Sequence, residues 1–213
     1  MYFLPKKIDH YVVAHSQEEP QLLKQLTRET YQKVLQPIML SGPYQGRVLS
    51  MISKLKQPKT ILELGTFTGY ATLCLAEGLM TNGRIDTIDI NEELADFQRK
   101  YFHASDYGHQ IHQHIGNALD IIPTLNNTYD LVFIDADKTN YVNYFHLIID
   151  KVSPGGIIIS DNVLWHGKVV EPLKEKDEST KAVLEFNTLL KEDHRIETVV
   201  LPIRDGLTIS RKK

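Results

Sequence analysis

The regular alternation of strand-like and helix-like segments after residue 59 constrains the fold of this 213-residue chain more than any other feature. The predicted strands of this region cover 60–64, 84–89, 110–115, 131–134 and 157–160. The predicted helices between them cover 70–80, 92–105, 118–125 and 140–152. Strands and helices in this order form right-handed βαβ units and a parallel sheet. The sequence therefore predicts an α/β fold with five parallel strands and helices on both faces.

The two ends of the chain depart from this alternation. Residues 1–58 contain three helical patterns and no strong strand, so they predict an N-terminal helical extension. Near the other end, a helix over 179–192 leads to strands over 196–201 and 206–210. The short connection between these two strands permits an antiparallel hairpin but no parallel crossover. We expect a single domain over 1–213, with the extension over 1–58 and the core over 59–213.

Composition and charge exclude several classes of protein. The net charge is −3, with 24 Lys and Arg against 27 Asp and Glu, which lacks the basic excess of general nucleic-acid binders. No apolar run approaches the roughly 20 residues that span a bilayer. The first residues do not have the layout of a signal peptide. We expect a cytoplasmic protein with no membrane partner, and with no nucleic-acid partner unless it is one specific RNA.

Two predicted strands end abruptly in polar side chains. These side chains, which follow 131–134 and 157–160, are Asp135, Asp137, Lys138, Asp161 and Asn162. Neighbouring parallel strands bring their carboxyl ends to one edge of the sheet, where ligands of open α/β sheets bind. An all-oxygen set suits a hard cation such as Mg²⁺ or Ca²⁺. The alternative, a set of helix caps and solvated turn residues, is disfavoured because two strand ends share the pattern.

The turn after the first strand contains Gly65 and Gly69 within Glu-Leu-Gly-Thr-Phe-Thr-Gly-Tyr, residues 63–70. Glycines at a strand-to-helix turn let a ligand approach the backbone. The G-x-G-x-x-G triple that accommodates a pyrophosphate is absent, since Phe67 occupies the middle position. This indicates a ligand without phosphates. Asp89, at the end of the second strand, is placed to accept hydrogen bonds from a ribose diol.

Four motifs together resemble the cation-dependent, S-adenosylmethionine-dependent O-methyltransferases, the family of the caffeoyl-CoA and catechol enzymes and their small bacterial relatives. The motifs are the glycine turn, Asp-Ala-Asp-Lys-x-Asn-Tyr from Asp135, Asp-Asn-Val-Leu-Trp-x-Gly-Lys-Val from Asp161, and Asp-Gly-Leu-Thr from Asp205. The resemblance extends from about Met39 to Arg211. It implies the Rossmann-like fold of class I methyltransferases.

The resemblance also implies roles for individual residues. The implied binding residues for S-adenosylmethionine are Met39, Glu63, Gly65, Thr66, Phe67, Gly69, Tyr70, Asp89, Ile90, Gly116, Asn117, Ala118 and Asp135. The implied metal ligands are Asp135, Asp161 and Asn162, with Mg²⁺ as the expected ion and Ca²⁺ or Mn²⁺ as alternatives. Lys138 is the implied base, Asp137 and Trp165 are implied substrate contacts, and Met39 with residues 42–46 is an implied cofactor lid. Ala71 and Asn117 stand where Ser and Asp are usual in the family.

The expected activity is transfer of a methyl group from S-adenosylmethionine to a hydroxyl of a small catechol-like or hydroxylated aromatic acceptor. The resemblance further implies a homodimer. One alternative is a tRNA hydroxyuridine O-methyltransferase of the same fold, which the net charge weakly disfavours. A second is a non-catalytic cofactor-binding or interaction protein, which has no need of Asp135, Lys138, Asp161 and Asn162 together.

Overall fold

The structure, a computed structural model, describes residues 5–213, so the first four residues of the predicted extension lie outside it. Seven strands form one sheet in the order β3-β2-β1-β4-β5-β7-β6. They are β1 (Thr60–Leu64), β2 (Arg84–Asp89), β3 (Ile111–Ile115), β4 (Tyr129–Ile134), β5 (Val152–Asp161), β6 (Ile196–Leu201) and β7 (Leu207–Lys212). Strands β1 to β5 pair in parallel, and β7 pairs antiparallel with both β5 and β6. The predicted sheet is confirmed, including its C-terminal hairpin.

Helices cover both faces of this sheet. They are α1 (Lys6–Ala14), α2 (Gln21–Lys33), α3 (Gly42–Lys56), α4 (Tyr70–Ala76), α5 (Ala95–His103), α6 (Ala118–Ile121), α7 (Tyr141–Ile148) and α8 (Glu178–Glu192). Several predicted helices are shorter than expected because their first or last turns are 3₁₀ turns, as at Glu92–Leu94 and Ile149–Lys151. None of the helices in the described part of the chain is long and apolar enough to cross a membrane.

Strand β5 begins five residues earlier than predicted. Pro154, Gly155 and Gly156 in its first half are the residue types that normally interrupt strands. The pairing register between β4 and β5 shifts between Tyr129 and Leu131, so a bulge accommodates the interruption. The sequence pattern therefore located only the buried second half of this strand.

Alternating residues of the central strands supply two apolar cores, one on each face of the sheet. Leu62 and Val132 pack with helices α6 to α8, whereas Ile61 and Phe133 pack with α2 to α5. Successive side chains of a strand point to opposite faces, so a strand buried on both faces is apolar throughout. Leu49 of α3 is fully buried in the second core, which fixes the helix of the implied lid against the sheet.

The strand register aligns the ends that carry the predicted site. Leu64 of β1 pairs with Ile88 of β2 and with Ile134 of β4, and Ile134 pairs with Ser160 of β5. The next residues of these strands therefore leave the sheet at one edge.

Candidate active site

Gly65 joins the ends of three strands at this edge. Its backbone N–H donates to the Ile88 carbonyl at 2.9 Å, and the Asp135 N–H donates to the Leu64 carbonyl at 2.8 Å. The φ angle of Gly65 is +96°, and a Cβ there would lie 2.7 Å from the carbonyl carbon of Asp135. Both observations require glycine, because other residues rarely adopt this conformation and a Cβ has no room. The close approach places the glycine turn directly beside Asp135.

Glu63 lies beneath this turn and is completely buried. One carboxylate oxygen accepts hydrogen bonds from the hydroxyls of Thr72 and Thr87, the latter at 2.6 Å. The other oxygen, Oε1, has no hydrogen-bond partner among the described residues. Burial raises the pKa of Glu63 to about 8, with the two threonine hydroxyls opposing the rise. A buried carboxylate with one free oxygen is ready to bind a donor group.

Asp89 is held in place by the backbone of the glycine turn. Its carboxylate accepts from the Phe67 N–H at 2.6 Å and from the Asn91 N–H at 2.8 Å. Burial raises the pKa of Asp89 above its usual value, and these backbone hydrogen bonds oppose the rise. Phe67 has a φ of +49°, an uncommon conformation that turns its N–H toward Asp89. The structure thus connects the predicted ribose-binding residue to the turn.

The remaining predicted cofactor residues follow Asp89 and β3. Ile90 is three-quarters exposed, and Gly116 donates its N–H to the Asp89 carbonyl at 2.8 Å. Asn117 caps α6 by accepting from the Leu119 N–H at 3.0 Å, a task that an Asp performs equally well. Ala118 is buried at the start of α6.

A small cavity brings part of the predicted lid against the glycine turn. The residues that line it are Met39, Leu40, Ser41, Gly65, Thr66, Phe67, Thr68, Tyr70, Ala71 and Asp135. Tyr70 is buried and donates a hydrogen bond to Glu19, which precedes α2. Gly46 of α3 lies against Tyr70, since a Cβ there would come within 2.6 Å of the ring. The N-terminal helices therefore form one wall of the predicted cofactor site.

The predicted metal ligands Asp135, Asp161 and Asn162 follow paired positions of β4 and β5. Asp135 keeps about a fifth of its side-chain surface exposed (21%), while Asp161 is buried. Burial raises the pKa of Asp135 to about 7; the charge of Lys138 opposes this rise and that of Asp161 adds to it. Asn162 adopts a left-handed φ of +57°, which asparagine tolerates better than most residues. Asp135 and Asp161 thus lie near enough for the charge of one carboxylate to act on the other.

Lys138, the predicted base, is buried beside Asp135. Its Nζ donates to Asp135 Oδ1 at 3.1 Å, to the Ala136 carbonyl at 3.1 Å and to the Tyr141 hydroxyl at 2.6 Å. The Tyr141 hydroxyl donates in turn to the Asp161 carbonyl at 3.1 Å. Tyr141 therefore connects the predicted base to the backbone of a predicted metal ligand. It stands in the quoted Asp-Lys motif three residues after Lys138, but sequence reasoning assigned it no role.

The two predicted substrate contacts differ in their surroundings. Asp137 is exposed, and its carboxylate accepts from the side chains of Tyr144 and Asn140, the latter at 2.6 Å. Trp165 has a φ of +44°, and no described residue accepts a hydrogen bond from its buried indole N–H. Asp137 thus stabilises the turn before α7 by these hydrogen bonds. The indole N–H of Trp165, by contrast, remains available to donate to a ligand.

Gln45 and Arg204 also reach this site, and sequence reasoning assigned neither of them a chemical role. Gln45 Nε2 donates to Asp161 Oδ2 at 2.6 Å, across 116 residues of sequence. Arg204 donates to the Ser41 carbonyl, and its charge opposes the rise that burial causes in the pKa of Asp135. Local patterns carry no signal for such contacts, because the partners meet only when the lid helix and the C-terminal hairpin pack together.

Across residues 5–213, no group of three or more His, Cys, Asp or Glu side chains is arranged to hold a metal. The predicted ligand set contains two carboxylates and one amide, so it does not belong to that kind of cluster. Its oxygen donors fit Mg²⁺ or Ca²⁺ better than zinc, which prefers nitrogen and sulfur ligands.

Comparison with known proteins places the chain in a family. A family model described as O-methyltransferase matches residues 13–213. Caffeoyl-CoA O-methyltransferase 5 of Nicotiana tabacum is 37% identical over 205 residues, which cover 91% of this chain and 85% of the relative. Caffeoyl-CoA O-methyltransferase 2 of Petunia hybrida is 38% identical, with 91% and 84% covered.

Solved structures agree with these sequence matches. The O-methyltransferase TomG of Streptomyces achromogenes, solved in complex with SAM, has a TM-score of 0.89 and 28% identity, covering 97% of this chain and 96% of its own. An O-methyltransferase from Bacillus cereus in complex with SAH has the same TM-score and identity, with 97% of both chains covered. The chain therefore belongs to the O-methyltransferase family, which confirms its resemblance to the S-adenosylmethionine-dependent enzymes of the caffeoyl-CoA type.

Proposed function

We propose that this protein methylates a hydroxyl of a small catechol-like or hydroxylated aromatic acceptor, with S-adenosylmethionine as donor and a divalent cation held by Asp135, Asp161 and Asn162. The observation that carries the proposal is the juxtaposition of these oxygen donors with Lys138 and the Gly65 turn at one sheet edge. The caffeoyl-CoA enzymes among the relatives support an acceptor with neighbouring aromatic hydroxyls.

The residues present fit a divalent cation. Burial and the charge of Asp161 both raise the pKa of Asp135, so the ionised pair needs a compensating positive charge. As an ammonium, Lys138 supplies one charge through its 3.1 Å contact with Asp135, whereas both hydrogen-bond donors to Asp161 are neutral groups, the Gln45 amide and the Asn162 N–H. A cation between the two strand ends would complete the neutralisation.

The residues also fit the methyl donor. Glu63 Oε1 is a buried oxygen without a partner in the described chain, and once Glu63 ionises on donor binding this oxygen would accept from the amino group of the methionine moiety. Asp89 keeps acceptor capacity beyond its two backbone bonds, as a ribose diol requires. Backbone N–H groups at the start of α4 can replace the hydroxyl that is missing at Ala71.

When bound, S-adenosylmethionine supplies an electrophilic methyl group, and a divalent cation lowers the pKa of an acceptor hydroxyl. In the base role Lys138 would be neutral once the cation is bound, and its amine would take the proton of that hydroxyl. Asp135 and Tyr141 hold the Lys138 amine in place at 3.1 Å and 2.6 Å. In the alternative role Lys138 stays an ammonium and clamps the acceptor oxygens without taking the proton.

A panel assay with labelled methyl donor tests the proposal. Catechol, caffeoyl-CoA and hypomodified tRNA are offered in turn, each with Mg²⁺ and with excess chelator. We expect metal-dependent label in catechol or caffeoyl-CoA. Label found only in tRNA would show that the acceptor is tRNA and not a small aromatic compound. None of the relatives named above supports that alternative. Absence of transfer to every acceptor, with normal donor binding, would favour a non-catalytic binding protein.

A homodimer and a cytoplasmic location are further proposals. Helix α1 contains no buried residue, and Ile8 and Tyr11 on it are more than half exposed, so it has apolar surface for a second copy. A monomeric mass by light scattering at micromolar concentration would contradict the dimer.

A further inference from the structure

Gln45 is a neutral side chain in an unusual place. It lies in the first turn of α3, is completely buried, and donates its Nε2–H to Asp161 Oδ2 at 2.6 Å. The other Asp161 oxygen, Oδ1, accepts from the Asn162 N–H at 2.7 Å. Each carboxylate oxygen thus has one fixed donor and retains a lone pair for a further ligand. The two donors together fix the plane of the Asp161 carboxylate.

The neighbours of Gln45 decide which way its amide points. Asp161 can only accept hydrogen bonds when ionised, and the guanidinium of Arg204 can only donate. Arg204 Nη1 lies 3.5 Å from Gln45 Oε1, so the amide nitrogen must face Asp161 and the amide oxygen must face Arg204. The same Arg204 nitrogen donates to the Ser41 carbonyl at the start of α3. Arg204 therefore holds both the helix start and the side chain that bonds Asp161.

The position of Arg204 follows from the C-terminal hairpin. Strand β7 pairs with β5 so that Leu207 lies opposite Asp161, and the turn before β7 consequently lies over the end of β5. Arg204 occupies this turn with a φ of +50°, a conformation that glycine adopts at lower cost. The Arg204 side chain extends from this left-handed turn to the start of the lid helix.

We propose that Gln45 and Arg204 are positioning residues for the metal centre: Gln45 orients the Asp161 carboxylate, and Arg204 holds Gln45 through the docked start of α3. This inference rests on the metal site of the proposed function. It connects the lid, whose Met39 lines the cavity at the glycine turn, to the cation-binding carboxylate. Hydrogen bonds to ligating carboxylates typically change metal affinity by about 10–100-fold when they are removed.

The test measures binding and does not depend on turnover. Metal-free protein is titrated with Mn²⁺ by calorimetry, and SAH affinity is measured separately in chelator. Gln45→Met keeps the volume but removes the donor, and we expect Mn²⁺ affinity to fall about 10–100-fold while SAH affinity changes less than about threefold. The matched control is Gln32→Met on the exposed surface of α2, which should leave both affinities unchanged.

Arg204→Gly tests the second step, because glycine accepts the left-handed conformation of this turn. We expect a smaller loss of Mn²⁺ affinity than in Gln45→Met. The double variant should be no weaker than Gln45→Met alone, since Arg204 orients Asp161 through Gln45 and the loss of its positive charge near Asp135 does not by itself weaken cation binding. If the losses of Mn²⁺ affinity in the two single variants add up in the double variant, Arg204 acts independently of Gln45. That result would overturn the proposal that Arg204 acts by holding Gln45.

The inference is wrong if Gln45→Met binds Mn²⁺ like the wild type, or if it loses SAH and Mn²⁺ affinity in equal measure, as a purely structural role predicts. Should Gln45→Met fail to fold, Arg204→Gly decides alone: weakened Mn²⁺ binding supports the inference, and unchanged or stronger binding, as the loss of a positive charge alone predicts, overturns it. Wild-type protein that binds no Mn²⁺ would instead refute the proposed metal site itself. The two failures are therefore distinguishable.

Discussion

Glu63→Gln should flatten the pH dependence of stability. The usual pKa of a glutamate is 4.5, whereas burial raises that of Glu63 to about 8 in the folded protein. Between these values the unfolded chain ionises Glu63 while the folded protein keeps the proton. The contribution of Glu63 to stability is therefore highest below pH 4.5 and falls as the pH rises toward 8. Above pH 8 this contribution changes little.

The size of the effect follows from the same two values. Each pH unit in the middle of this window costs about 1.4 kcal/mol of unfolding free energy and less near either pKa, so the loss between pH 5 and pH 8 is about 3.5 kcal/mol. Glutamine carries no proton to lose and still offers one oxygen to the hydroxyls of Thr72 and Thr87. The variant should lack this loss, whatever its absolute stability.

Urea unfolding of ligand-free protein at pH 5 and pH 8 measures the difference for both forms. Groups remote from Glu63 titrate alike in wild type and variant and cancel in the comparison, and Asp135 and Asp89, whose charges are the smallest of the causes acting on Glu63, make only a minor contribution to the difference. Exposed Glu92→Gln is the matched control and should follow the wild type. Equal losses of stability in the wild type and in Glu63→Gln would refute the assignment of a buried, protonated Glu63.

Three further outcomes concern the site. Gly65→Ala should destabilise the fold by on the order of 3 kcal/mol, because the new Cβ collides with the Asp135 backbone; a melting temperature within a degree of wild type would contradict this. Lys138→Ala should lower kcat by about 10²–10⁴-fold with unchanged SAH affinity, and the rate should recover partly at high pH; near-normal kcat would remove the base role, and a slow variant without recovery would favour the clamp. Asp89→Ala should weaken SAH binding measured by calorimetry while the fold persists, and unchanged affinity would place the ribose contact elsewhere.

Local sequence patterns predicted most of the fold. The bounds of β1, β2 and β6 agree with the expectation, because apolar runs there are delimited by turn residues such as Pro58 and Gly83. The first half of β5 was missed since its Pro and Gly residues resemble a turn, and only the bulge opposite Tyr129 reveals why a strand survives. The observed helix ends differ from the predicted ones because the terminal turns at Glu92–Leu94 and Ile149–Lys151 are 3₁₀ turns, which the apolar pattern does not distinguish from α-helical turns.

The residues of the candidate site were likewise predictable from the sequence only in part. Asp135, Lys138 and Asp161 follow buried strands, so their meeting was predictable from the topology of a parallel sheet. Gln45 and Arg204 come from a helix and a hairpin that are 159 residues apart in sequence. Only the packing of those elements brings them together, and neither residue type marks a site by itself. The family resemblance placed Gln45 only within the implied lid and gave Arg204 no role.

Cation dependence tests the central claim most directly. Methyl transfer to a catechol is measured after removal of metal ions, then after addition of Mg²⁺, and in excess chelator, with SAH binding as the control for an intact cofactor site. If Asp135, Asp161 and Asn162 hold a divalent cation that the reaction needs, turnover falls to background in chelator and returns with Mg²⁺. Full turnover in excess chelator, with SAH binding unchanged, would contradict the metal site.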